Sequence, residues 1–126
     1  MSMSETPLRV LLVEDYADLA EAEAEFLRAE GLDVRTALSG SEALEIAPEF
    51  QPDLLLCDIY LPDMTGLDVV HRLRSHPLTE RTYTVILTAM AGVAKQLGGA
   101  DVVIFKPITA KAIRTLVEAS REKLAG

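Results

Sequence analysis

Five short apolar runs divide the sequence at regular intervals, and this spacing constrains the fold more than any other feature. Most of the runs are nearly continuous rather than alternating, and they cover 8–13, 33–38, 53–57, 83–87 and 102–105. Continuous apolar runs of this length are typical of strands that are buried on both faces, as in a parallel sheet. The sequence therefore predicts five strands of a covered parallel sheet.

Segments with helical periodicity separate these runs. Apolar residues recur three and four positions apart in 16–30, 39–47, 66–75 and 109–124. Gly31 stands where the first helix should stop, and Ser39 and Thr109 stand at expected N-cap positions. The alternation of strands and helices with short links predicts an α/β fold with right-handed crossovers and helices on both faces of the sheet.

The composition fits a single domain. The chain has 126 residues, of which 49% are apolar and 25% charged, and its one cysteine excludes an internal disulfide. We expect 1–7 to be an N-terminal tail and 8–126 to be the domain. No apolar run approaches the ~18 residues of a membrane span and no apolar leader opens the chain, so the sequence favours a cytoplasmic protein without membrane contact.

Polar side chains stand at the carboxyl ends of four predicted strands. They are Glu14 and Asp15 after the first strand, Asp58 after the third, Thr88 after the fourth and Lys106 after the fifth. Open parallel sheets bind ligands at this edge. Three carboxylates packed together repel one another, and Mg²⁺ relieves the repulsion while leaving room for phosphate oxygens. A carboxylate can also attack phosphorus, while a lysine neutralises charge on the transferring group.

Four segments resemble bacterial response regulator receiver domains, which are phosphoproteins of two-component regulatory systems and their phosphorelays. They read VLLVED (10–15), LLLCDIYLPDMTGLDV (54–69), VILTAM (85–90) and GADVVIFKP (99–107). The resemblance extends over 8–124. It implies a flavodoxin-like, doubly wound sheet with strand order 2-1-3-4-5, and it identifies the domain at 8–126 as a receiver domain.

The resemblance also implies a role for each residue at the sheet edge. Asp58 would be the phospho-acceptor, and Thr88 and Lys106 would contact the phosphoryl group. The implied Mg²⁺ ligands are the carboxylates of Asp15 and Asp58 and the backbone carbonyl of Tyr60, with Glu14 assisting, usually through water. The bond between Lys106 and Pro107 is expected to be cis.

The implied function is a phosphorylation-dependent signalling switch. The domain would take a phosphoryl group from a sensor histidine kinase or a histidine phosphotransfer protein and change its surface for a downstream target, which the sequence does not identify. Its only catalysis would be its own phosphorylation and dephosphorylation. The net charge of −8 argues against direct binding to nucleic acid, and the domain could form a homodimer.

Three other functions compete with this interpretation. A haloacid-dehalogenase-like phosphatase also uses a strand-end aspartate with Mg²⁺, but it needs a second aspartate where this chain has Tyr60. A mononucleotide-binding module would need a Gly- or Ser/Thr-rich loop after the first strand, where Glu14 and Asp15 stand instead. A receiver that no longer takes phosphate is disfavoured because every residue of the acidic pocket is present.

The sequence departs from the family pattern near its fifth strand. Only 18 residues separate Thr88 from Lys106, about one helical turn fewer than in relatives, so we expect a shortened fourth helix at 91–97. Val103 stands where relatives have an aromatic residue, and Phe105 could partly replace it. We therefore predict that the face formed by the fourth helix, the fifth strand and the last helix does not form a dimer interface. Any dimer would use other surfaces, such as the first and last helices.

Overall fold

The computed structural model describes residues 6–89 and 99–126, which form a five-stranded parallel sheet flanked by helices. In chain order the elements are β1 (Arg9–Val13), α1 (Ala17–Ala29), β2 (Asp33–Ala37), α2 (Gly40–Phe50), β3 (Leu54–Asp58), α3 (Gly66–Arg74), β4 (Tyr83–Thr88), β5 (Val102–Phe105) and α4 (Ala110–Ala125). The strand order β2-β1-β3-β4-β5 confirms the predicted fold class. The short helix predicted at 91–97 lies outside the described residues.

The sheet separates two apolar cores, as continuous apolar strands predict. Every residue of β3 is buried, and its successive side chains enter opposite cores because strand side chains alternate between faces. Leu56 packs with α1 and α4 in the first core, and Leu55 packs with α2 and α3 in the second. Each such leucine contributes about 2 kcal/mol through burial.

The predicted helix ends agree with the structure. The hydroxyls of Ser39 and Thr109 each accept a hydrogen bond from the backbone N–H three residues later, at 3.1 Å in both cases. Gly31, after α1, has φ +87°, a conformation that glycine adopts without strain. At the start of α2, the Glu42 carboxylate accepts a hydrogen bond from the backbone N–H of Leu38 (2.6 Å).

Asp101 joins helices from opposite faces of the sheet at the start of β5. Its carboxylate accepts hydrogen bonds from the backbone N–H (2.8 Å) and hydroxyl (3.0 Å) of Thr84, and its Oδ2 lies 3.2 Å from both Arg74 Nη2 on α3 and Lys123 Nζ on α4. Burial acts to raise the pKa of Asp101, but the Thr84 and Lys123 contacts outweigh it and lower that pKa below its ordinary value. The ionised carboxylate therefore stabilises the fold.

We predict that Asp101→Asn lowers the free energy of unfolding by about 1–3 kcal/mol at pH 7, because it weakens several hydrogen bonds to an ionised group. Since the folded-state pKa is lowered, the stabilisation is present above the unfolded pKa of about 3.9 and is lost as the pH falls through the folded value. Urea denaturation from about pH 7 to pH 3 should show that the difference in free energy of unfolding between parent and variant disappears below about pH 4. The exposed Glu49→Gln on α2 is the control, and a difference unchanged at low pH contradicts the prediction.

Candidate functional site

The predicted site residues lie together at one edge of the sheet. Glu14 and Asp15 follow β1, Asp58 ends β3, Thr88 ends β4 and Lys106 follows β5. One carboxylate oxygen from each of the three acidic residues lies within 4.8 Å of the others. The parallel sheet produces this arrangement because it places the carboxyl ends of its strands side by side.

Backbone hydrogen bonds continue past the strand ends and hold these residues in place. The N–H of Glu14 donates to the carbonyl of Ala37 (3.0 Å), and the N–H of Lys106 donates to the carbonyl of Thr88 (2.9 Å). The bond from Lys106 to Pro107 is cis, as expected. The main chains of Glu14 and Lys106 are thus held as extensions of the sheet.

The Lys106 ammonium lies between two carboxylates. Its Nζ is 2.8 Å from Asp58 Oδ1 and 2.8 Å from Glu14 Oε2. Burial acts to lower the pKa of Lys106, but its contacts with Asp58 and Glu14 outweigh burial and raise that pKa above its ordinary value. Lys106 is therefore a permanent positive charge at the site.

One lysine does not neutralise the cluster. Burial and the neighbouring Glu14 raise the pKa of Asp58 to about 7, although Lys106 opposes the shift. Burial also acts to raise the pKa of Glu14, but hydrogen bonding with Asp58 and Lys106 gives a net lowering. A further positive charge near the site would therefore favour the ionised form of Asp58.

The donor atoms at this edge suit Mg²⁺. Asp58 Oδ1 is buried and lies 2.8 Å from Lys106 Nζ, as an ion pair. Among residues 6–89 and 99–126, this oxygen has no partner with hydrogen-bond geometry. Asp15 is exposed beside it and supplies a third carboxylate. A set of oxygen donors open to water on one side is what a hard divalent cation with retained waters requires.

A cleft opens beside Asp58 and Lys106. Its volume is about 240 Å³, and its lining residues are Asp58, Ile59, Tyr60, Leu87, Thr88, Ala89 and Lys106. Because a water molecule occupies about 30 Å³ in the liquid, the cleft has room for a phosphoryl group and several waters. Thr88 is buried in its wall, whereas the side chain of Tyr60 is 62% exposed.

The structure also shows where Val103, which stands at the family's aromatic position, and the nearby Phe105 lie on β5. Phe105 pairs in register with Thr88 and its side chain is 48% exposed, while Val103 packs against the core formed with α2 and α3. The replacement of the family's aromatic residue by Phe105 remains a prediction, since the neighbouring segment 90–98 lies outside the described residues.

The loop between β3 and α3 contains contacts that the sequence analysis missed. Thr65 and Asp68 form a reciprocal capping box at the start of α3, and the carboxylate of Asp63 accepts two hydrogen bonds from the start of α2. The Thr-x-x-Asp spacing before an apolar stretch is a recognisable capping signal. The Asp63 contact has no local signal, because its partners lie more than 20 positions away.

Comparison with known proteins agrees with the geometry. The sequence profile of the response regulator receiver domain matches residues 10–118. The chain belongs to the response regulator receiver domain family. The match confirms the family inferred from the four sequence segments. Receivers of this family are signalling components of two-component systems rather than classical enzymes.

Curated relatives of this receiver domain include two mycobacterial regulators. The probable transcriptional regulatory protein TcrX of Mycobacterium tuberculosis is 41% identical over 93 residues, covering 74% of this chain and 39% of TcrX. The DNA-binding response regulator MtrA of Mycolicibacterium paratuberculosis is 38% identical over 117 residues, covering 88% of this chain and 50% of MtrA. The chain thus spans about half the length of these relatives, or less.

Solved structures with the same fold include other receivers. A response regulator from Chloroflexus aurantiacus has a TM-score of 0.78 and 34% identity, covering 96% of this chain and all of the other. The response regulator TrrA of Thermotoga maritima, in complex with Mg²⁺ and BeF, has a TM-score of 0.80 and 28% identity, covering 90% of this chain and 98% of TrrA. Among the residues described for the present receiver, no helix is both long and apolar enough to cross a bilayer.

Proposed function

We propose that this receiver is a phosphorylation-dependent switch in which Asp58 takes a phosphoryl group from a sensor histidine kinase or a histidine phosphotransfer protein. The observation that carries the proposal is the grouping of Asp58 with two further carboxylates and the Lys106 ammonium, beside an open cleft that Asp58 and Lys106 line. The receiver family uses such a site for this purpose, and the proposed domain extends over 8–126.

Each side chain has a defined task in the proposed transfer. The carboxylate of Asp58 attacks phosphorus, so that an O–P bond forms while the N–P bond to the donor histidine breaks and the imidazole leaves with the bonding electrons. The ammonium of Lys106 neutralises charge on the phosphoryl oxygens. The hydroxyl of Thr88, in the wall of the cleft, donates a hydrogen bond to the transferred group.

Mg²⁺ is the cofactor that the donor set fits. The residues that would hold it are Asp15 and Asp58 through carboxylates, Tyr60 through its backbone carbonyl and Glu14 through water. When bound, the cation neutralises the charge that develops on the transferring phosphoryl group. The raised pKa of Asp58 supports this assignment, because a second positive charge in addition to Lys106 favours the ionised nucleophile at neutral pH.

Labelling with a small phosphoryl donor tests the proposal directly. Purified protein is incubated with acetyl phosphate with and without Mg²⁺, and the modified residue is located by mass spectrometry after trapping of the acyl phosphate. We expect a mass increase on the peptide that contains Asp58, only with Mg²⁺. Absence of labelling with both acetyl phosphate and a panel of kinases contradicts the proposed function.

Lys106→Ala should separate metal binding from the response to phosphorylation. The ammonium binds oxygen as a compact charge and is tied through its main chain to Thr88, so it can transmit the presence of the phosphoryl group to β4 and β5. We expect the variant to bind Mg²⁺ but to show, on addition of beryllofluoride, fewer amide shift changes in 99–108 than the parent in NMR spectra. Identical shift changes in both proteins would refute this role. Lys111→Ala, at an exposed position of α4, is the control.

The downstream target is proposed to act in transcription. MtrA is described as a DNA-binding response regulator and TcrX as a probable transcriptional regulatory protein, and both extend well beyond the part matched here. We propose that a separate output domain or partner binds DNA, because the net charge of −8 disfavours phosphate contacts by the receiver. A cytoplasmic location and a homodimer remain predictions.

The phosphatase alternative has less support. Its general acid would stand two residues after Asp58, where the structure has Tyr60, an exposed phenol at the rim of the cleft. An acyl phosphate formed at Asp58 would therefore lack the acid–base group that drives turnover on phosphate esters.

A further inference from the structure

The backbone of residues 59–66 determines where one predicted metal ligand lies. Tyr60 would bind Mg²⁺ through its main-chain carbonyl, so no side-chain rotation can adjust that ligand. Within this loop, Tyr60 pairs with Thr65 as an antiparallel bridge, and the N–H of Leu61 donates to the carbonyl of Met64 (3.2 Å). The loop is therefore a closed hairpin whose base is fixed to β3 and α3.

The tip of this hairpin is attached to a different helix. The Asp63 carboxylate accepts from the N–H of Gly40 through Oδ1 and from the N–H of Ser41 through Oδ2, both at 2.9 Å. These are the first two residues of α2, where backbone N–H groups have no partner within the helix and the helix dipole favours a negative charge. The hydroxyl of Ser39 takes the next N–H, that of Glu42, so Asp63 completes the capping of α2.

A second contact joins the same two elements. A Cβ built at Gly40 would overlap the side chain of Met64, so the methionine lies directly on the first turn of α2 and would have to shift if residue 40 were alanine. The hairpin tip is thus held by one polar and one apolar contact at neighbouring residues. Neither contact is needed to close the hairpin itself, because its internal hydrogen bonds are made by its own main chain.

We propose that Asp63 is a positioning residue for the Mg²⁺ site: by tying the hairpin tip to the start of α2, it holds the Tyr60 carbonyl where the cation requires it. The inference rests on the proposed function, because it assigns the role of Asp63 in that same site. Asp63 does not contact the acidic cluster in the structure, and it acts through the main chain. Groups that hold metal ligands in place typically contribute 10–100-fold to metal affinity.

The test measures Mg²⁺ binding by calorimetry in variants that break the attachment from either side. Asp63→Ala should raise the Mg²⁺ Kd by about tenfold, the low end of the range for such groups. Asp63→Asn should have a smaller effect, since one oxygen still accepts a hydrogen bond. Gly40→Ala changes no charge but displaces Met64, and it should also raise the Kd.

Two controls separate positioning from general electrostatics. Glu45→Gln removes one exposed charge from the same helix and should leave the Kd unchanged. At about 1 M salt the screening length is only ~3 Å, so a purely electrostatic effect of Asp63→Asn would vanish, whereas a displaced carbonyl persists. In metal-free protein, the amide hydrogens of Gly40 and Ser41 should exchange about tenfold faster in Asp63→Ala, a change that reports the lost contact itself.

The outcomes distinguish this inference from the proposed function. Asp15→Asn removes a predicted ligand directly and should weaken Mg²⁺ binding whatever Asp63 does. If Asp15→Asn weakens binding and Asp63→Ala does not, the positioning role is wrong and the proposed metal site stands. If neither variant changes the Kd, the metal site itself is wrong. An Asp63 effect that disappears at high salt also overturns the positioning role.

Discussion

Asp58→Asn is expected to abolish Mg²⁺-dependent phosphoryl labelling. The amide has no anionic oxygen to attack phosphorus, and it removes one of the carboxylates of the cluster. Loss of a covalent nucleophile leaves no alternative path to an acyl phosphate, so the signal should fall to background, a decrease of at least about 10³-fold by analogy with other nucleophile variants. Labelling with acetyl phosphate, followed by mass spectrometry, measures it.

Two controls show whether the loss of labelling in Asp58→Asn comes from misfolding or from the loss of one negative charge. Burial and Glu14 disfavour the ionised form of Asp58, as its pKa of about 7 indicates, so the neutral asparagine should fold at least as stably at pH 7.5 without Mg²⁺. Asp18→Asn removes an exposed carboxylate from the first turn of α1 and should label normally. Undiminished labelling of Asp58→Asn at another residue would show that the acceptor is wrongly assigned.

The sheet and its polar edge could be predicted because their signals are local. Continuous apolar runs identify buried strands, and the polar residue that ends each run must lie at the carboxyl edge of a parallel sheet. The grouping of Glu14, Asp15 and Asp58 follows from this rule without any family knowledge. The strand order and the choice of Asp58 as acceptor came instead from the resemblance, because equivalent carboxylates at one edge do not differ in their sequence pattern.

The contacts that the sequence did not predict are long-range. Asp63 reads as a turn residue, yet its carboxylate caps a helix 22 and 23 positions earlier in the chain. Asp101 likewise reads as a residue before a strand, and its role depends on Arg74 and Lys123, which come from two different helices. Such pairings depend on how the elements pack, and periodicity within one element carries no information about them.

Gly66 provides the strictest test of the packing beneath the site. In the structure a Cβ at Gly66 would overlap the backbone carbonyl of Asp58 and come within 2.9 Å of Ile86 Cδ1. The carbonyl belongs to a central strand and cannot move aside, so α3 must shift and its buried residues must repack.

We therefore expect Gly66→Ala to lower the free energy of unfolding by about 3 kcal/mol, near the upper part of the range for overpacking. For a domain of this size, that corresponds to a fall in Tm of about 10 °C. Gly31→Ala is the matched control, because Gly31 has a positive φ but open space around it, and it should lose only about 1 kcal/mol. Since the shift of α3 acts on the Asp58 main chain, the Gly66 variant should also label more slowly below its Tm. Equal stability of the two glycine variants in thermal denaturation would show that the contact with β3 is not what requires glycine at this position.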